Sequence, residues 1–126
     1  MIDMQCKKMV EELKERIISE LGDKIDSIIL YGSVARGEEK RESDIDILIV
    51  AHNDNKEVYD KISKIRTSID LDNNTLTSLV YLSRKELKRY SKLGSPFIES
   101  IASEGVILYD NGTFKGISKG LFAQGK

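Results

Sequence analysis

Two aspartates one residue apart, Asp44 and Asp46, follow the pair Gly32 and Ser33 by ten residues in the stretch GSVARGEEKRESDIDILIV. On a strand, side chains alternate between faces, so positions i and i+2 project the same way. Asp44 and Asp46 would share one face, and Ile45, Ile47 and Ile49 would take the other. Carboxylates this close repel unless positive charge lies between them. A divalent ion suits them, and magnesium prefers carboxylate oxygens together with substrate phosphates. Taken alone, an Asp-x-Asp is more often a strand opening and a solvated side chain.

The glycine–serine pair changes that balance. Glycine permits a tight turn from strand into helix and lets a ligand approach the backbone. A serine hydroxyl and the amides that open a helix face a phosphate naturally. Their bland alternative is a helix N-cap. Arg36 reads equally as a phosphate neutraliser or as a solvated arginine, and Gly37 as a helix terminator. Taken together, the order is an apolar strand, Gly-Ser, ten residues, Asp-x-Asp and a second apolar strand. A hairpin-like pair of strands would then hold a phosphate loop beside two metal-binding carboxylates. Phosphoryl-type transfer needs that combination of a positioned triphosphate and a charge-spreading metal.

The rest of the chain must supply the elements that hold this constellation. Cys6, Val10, Leu13, Ile17 and Leu21 form a helical stripe that Gly22 stops. The β-branched run from Ile25 to Tyr31 reads as a buried strand, and Val34 to Glu38 as a short helix. A polar loop leads to a second strand, Asp44 to Val50. Val58, Ile62, Ile65 and Ile69 mark a second amphipathic helix. Thr75 to Leu82 reads as a third strand. Ser83 with Glu86 forms a capping box for a helix to about Leu93. Ser95 and Pro96 open another helix, and Val106 to Tyr109 makes a short last strand. The expected class is therefore α/β, a small mixed sheet flanked by helices. Residues 1–110 form the domain. Residues 111–126 form a basic tail without acidic residues, whose glycines predict a loosely ordered end.

Composition narrows the function classes. The 126 residues suffice for one modest core but not for a catalytic domain plus a substrate domain. Twenty basic residues against twenty-one acidic ones argue against nucleic acid as a partner, although a local basic patch remains open. No apolar run approaches a membrane span, and the N-terminus lacks the blocks of a signal peptide, so the expected location is cytoplasmic, with no membrane partner. Single residues Cys6 and His52 exclude an internal disulfide, zinc clusters and histidine triads. Cys6 reads as a packed thiol and His52 as a loop residue.

The stretch from Gly32 to Val50 resembles the signature of the DNA polymerase β-like nucleotidyltransferase superfamily. Within it, the short chain looks like the minimal nucleotidyltransferases, or MNT proteins, and the element order from Ile25 to Leu82 fits that fold. The resemblance implies that Gly32 and Ser33 bind nucleotide phosphates, and Arg36 beside them is the further nucleotide-binding candidate read from the residues. It implies that Asp44 and Asp46 are catalytic and hold Mg2+. The reaction would move a nucleoside monophosphate from ATP or another NTP to an acceptor. The family places a third carboxylate on the next core strand, where this chain has Ser78 in Thr77-Ser78-Leu79-Val80. Serine is neutral and a poor base at pH 7. Asp70 or Asp72, just before that strand, would replace it only if the loop brought them in.

The resemblance also implies a partner. MNT proteins act as antitoxins beside HEPN-domain toxins, and some modify a tyrosine of the toxin with AMP. Three readings follow: a protein adenylyltransferase, a catalytically degenerate antitoxin that works by binding alone, and a small-molecule transferase of the aminoglycoside type. The last would need an acceptor pocket from another domain or from a homo-oligomer.

Overall fold

A computed structural model describes residues 4–37 and 45–124. It begins with helix α1 (Met4–Leu21), a 3-10 turn (Gly22–Lys24) and strand β1 (Ile25–Tyr31). A one-turn helix α2 (Gly32–Ala35) precedes β2 (Ile45–Ala51), α3 (Lys56–Asn73) and β3 (Thr77–Ser83). The remainder is α4 (Arg84–Lys92), α5 (Pro96–Glu104), β4 (Val106–Asp110) and α6 (Thr113–Gln124).

The strands form one mixed sheet in the order β3-β2-β1-β4. β1 runs antiparallel to both β2 and β4, while β2 and β3 are parallel. A parallel pair needs a crossover, and α3 supplies it. Local chemistry agrees with each boundary. The Asn55 side chain caps α3 by accepting from the amides of Glu57 and Val58. Ser83 and Glu86 make the expected reciprocal capping box at α4. Ser95 caps α5, with Pro96 in its first turn.

Because the sheet is covered on both faces, β1 and β2 are apolar nearly throughout, as doubly buried strands are. One face, with Ile28, Leu30, Ile47 and Ile49, packs on the stripes of α1 and α3 that include Leu13, Ile17, Ile62 and Ile69. The other, with Ile29, Leu48 and Val50, packs on Leu87 of α4, Ile98 and Ile101 of α5, and Phe114 of α6. The expected α/β class and the hairpin of β1 and β2 are both present. The tail from Gly112 departs from expectation. It turns into α6, with Phe114 only 2% exposed and Ser118 buried. Its glycines lower helix propensity, but burial of an aromatic against the sheet overrides that local preference.

Candidate active site

Strand register builds the site. Tyr31, the last residue of β1, pairs with Asp46, and Asp46 pairs with Ser78 on β3. The three residues thus form a row across the sheet. Alternation places them on the α4–α5–α6 face, because Asp46 leads Leu48 and Val50 and Ser78 leads Val80 and Leu82. Ile45, Ile47 and Ile49 occupy the opposite face, as the sequence pattern requires.

Gly32 follows Tyr31 directly and turns the chain into α2 with φ of +78°. A Cβ built on Gly32 would lie 2.5 Å from Oδ2 of Asp46 and 3.3 Å from its Cγ. No side chain fits there, so the glycine brings bare backbone against the carboxylate. The amides of Arg36 and Gly37 donate to the carbonyls of Gly32 and Val34, closing the single turn of α2. Ser33 stands at its second position. Arg36 is exposed at its end, with Nη1 3.4 Å from Oε2 of Glu104 on α5. Asp44 lies outside the described residues, as do residues 38–43 that join it to the loop.

Two aromatic residues that sequence reasoning did not single out stand here, Tyr31 within the row and Phe97 beside it. Tyr31 meets Phe97 of α5 edge to face, with ring centroids 5.4 Å apart. Burial pushes the Tyr31 hydroxyl above its ordinary pKa, and the negative charge of Asp46 adds to it. Phe97 remains 41% exposed, so the pair forms an apolar rim open to solvent beside Asp46. No local signal marks these residues, because their proximity arises from the packing of α5 on the sheet.

Ser78, the position where the resemblance implies a third carboxylate, pairs with Asp46, and its side chain is exposed. Asp70 does not replace it. Its carboxylate accepts from Oγ1 of Thr75 at 2.7 Å, the amide of Thr77 at 3.0 Å and Oγ1 of Thr77 at 2.8 Å. Those bonds staple the α3–β3 turn on the Thr77 face, opposite to Ser78. Asp72 is exposed on the last turn of α3. Among the described residues no cluster of three or more histidine, cysteine, aspartate or glutamate side chains could hold a metal ion.

A second polar cluster occupies the far end of β1. Asp26 is 2% exposed and accepts from Nε and Nη2 of Arg84 at 2.8 and 2.9 Å and from Nδ2 of Asn111 at 2.9 Å. His52 Nδ1 lies 3.9 Å away. Burial raises the pKa of Asp26. Hydrogen bonds from Arg84 and Asn111, with the charges of Arg84 and His52, outweigh burial and hold it below its ordinary value. The cluster joins β1, the start of α4 and the β4–α6 connection. Its signal in the sequence was an acid inside a mostly apolar strand run, Ile25 to Leu30. Cys6 is partly buried against the α1–α3 core, and His52 follows β2 in an exposed bend.

A strand, a glycine turn and an aspartate facing that turn form the candidate site, and comparison with known proteins shows the family. The chain belongs to the nucleotidyltransferase domain family, whose model matches residues 6–109. It is 34% identical over 104 residues to a Methanocaldococcus jannaschii protein named as a candidate protein adenylyltransferase, covering 82% of this chain and 98% of that one. In fold it is similar to a chain of a toxin–antitoxin complex crystallised with AMP-PNP, with TM-score 0.62, 17% identity, and 90% and 85% of the two chains covered. It is also similar to the spectinomycin adenyltransferase of Enterococcus faecialis solved with ATP and spectinomycin, with TM-score 0.68 and 15% identity. That match covers 88% of this chain but 58% of the other. The chain is thus a nucleotidyltransferase with the polymerase β-like fold expected from its signature.

Proposed function

We propose that this nucleotidyltransferase transfers AMP from ATP to a partner protein, as the antitoxin of a HEPN–MNT pair. The observation that carries the reading is the contact between Gly32 and Asp46, which brings bare backbone against a carboxylate. The backbone that opens α2, with Ser33 and Arg36, would hold the phosphates. Asp46, with Asp44 two residues earlier on the same strand pattern, offers the hard oxygen ligands that magnesium takes. Bound magnesium would neutralise charge on the triphosphate. In the transfer, an acceptor hydroxyl oxygen bonds to the α-phosphorus, the bond from that phosphorus to the bridging oxygen breaks, pyrophosphate leaves and the hydroxyl proton passes to solvent. The relative from M. jannaschii supports protein as the acceptor class, and the toxin–antitoxin chain supports the pairing.

Ser78 favours a second reading, a transferase fold that neutralises its partner by binding alone. A neutral serine cannot take the acceptor proton as a carboxylate would.

Intact mass of the neighbouring gene's product, incubated with this chain, ATP and magnesium, separates the readings. Added AMP that disappears with Asp44→Ala/Asp46→Ala supports transfer. An unmodified partner that co-purifies as a complex supports binding alone. Neither modification nor complex would overturn both and return small-molecule acceptors to the front.

A further inference from the structure

The far end of the sheet carries a feature that nucleotide transfer does not use. Between α4 and α6 lies a cleft of about 380 Å³ lined by Arg84, Lys88, Asn111, Thr113 and Gly116, among others. Asp26, which anchors Arg84, precedes Gly32 by six residues of extended chain, or about 20 Å. The cleft is therefore separate from the Gly32–Asp46 site.

The Arg84 charge in this cleft is balanced by Asp26, but its guanidinium keeps donors to spare. Arg84 spends Nε and one Nη2 proton on Asp26. A guanidinium has five donors, so three remain, and among the described residues none of them has a partner. Asp26 also fixes the plane of the guanidinium, which lowers the entropy lost when a ligand is bound. Lys88, one turn further along α4, is exposed and has no ion pair among the described residues. The neighbouring carboxylates of Asp110 and Glu86 keep their charge but are turned to backbone amides. Asp110 accepts from the amides of Phe114 and Lys115, and Glu86 accepts from the amide of Ser83. α4 carries Arg84, Lys85, Lys88, Arg89 and Lys92 against Glu86 alone, and α6 adds Lys115. This is a local basic face on a chain whose formal charge is -1.

The first amides of α6 are taken by Asn111 and Asp110, so the helix end is not the attraction. The side chains are. A planar fork beside a point charge suits an anion with three divergent oxygens, and Gly112 and Gly116 leave open space where side chains would stand. We propose that the α4–α6 cleft is a second anion site that takes a phosphate group, borne by a small molecule or by a nucleic-acid backbone.

The test is amide NMR of the full chain titrated with inorganic phosphate at constant ionic strength, and then with a ten-nucleotide single-stranded RNA. Saturable shifts are expected at Gly112, Thr113 and Gly116. Lys88→Glu and Gly116→Asp, both at open surface positions, should weaken them about tenfold or more. If the RNA binds about tenfold more tightly than phosphate, with an affinity that falls as salt rises, the phosphate belongs to a nucleic-acid backbone. If it binds no better, the ligand is a small phosphate ester. Absence of saturable shifts, shifts that both variants leave intact, or shifts confined to Gly32–Gly37 would overturn the site. None of these outcomes bears on the transfer reaction.

Discussion

Gly32 and Asp46 touch across the β1–β2 hairpin so closely that a Cβ on the glycine would sit 2.5 Å from the carboxylate oxygen Oδ2. Gly32→Ala therefore meets two costs, a left-handed backbone for a residue with a side chain and a displaced Asp46. We expect a loss of about 2 kcal/mol in denaturant unfolding and about 100-fold or more in transfer rate. An alanine variant with wild-type turnover would show that Asp46 does not act from this position.

Asp46→Asn keeps the volume of the side chain and removes its charge. Its expected effect is a loss of about tenfold or more in ATP affinity measured calorimetrically in magnesium, with little change in affinity without the metal. Equal losses in both conditions would assign Asp46 a role other than metal ligation.

Ser78→Asp places a second carboxylate directly beside Asp46. Without metal, two like charges on adjacent strands should lower stability by about 0.5–1 kcal/mol. Magnesium should reverse that loss, and single-turnover transfer should rise by about tenfold or more. No gain in rate, with no metal-dependent gain in melting temperature, would sink the assignment of Ser78 as the missing carboxylate position.

The buried Asp26 makes stability depend on pH. Its folded pKa lies below the unfolded one, so its contribution is complete above the ordinary carboxylate range and is lost as pH falls through the folded value. Asp26→Asn should cost about 2 kcal/mol near pH 7, and the gap to wild type should close below about pH 4. Urea melts at several pH values would reveal it, and a gap independent of pH would mean that packing, not charge, holds the cluster.

Asp70 is a turn staple in this fold. Asp70→Ala removes three hydrogen bonds from Thr75 and Thr77 and should destabilise by about 2 kcal/mol. Transfer by the folded protein should be unchanged. A rate loss with stability intact would restore Asp70 as a catalytic candidate.

Much of this was legible in the residues. Period-two alternation put Asp46 opposite Ile45, Ile47 and Ile49, and helical stripes marked α1 and α3, because burial of one face leaves a local record. Ser83 with Glu86 and Ser95 with Pro96 marked α4 and α5, because caps are made within four residues. The Gly32-Ser33 spacing to Asp-x-Asp marked the turn between the two strands for the same local reason. Tertiary structure alone decided what depends on partners distant in sequence. Strand register set Ser78 beside Asp46. The staple at Thr77 turned Asp70 to the other face. Packing of α5 brought Phe97 to Tyr31, and packing of Phe114 made a helix of a glycine-rich tail. The grouping of Asp26, Arg84 and Asn111 joins residues 58 and 85 positions apart. Periodicity and capping record which face of an element is buried, but not which distant group meets it, since that is settled by the energy of the assembled core.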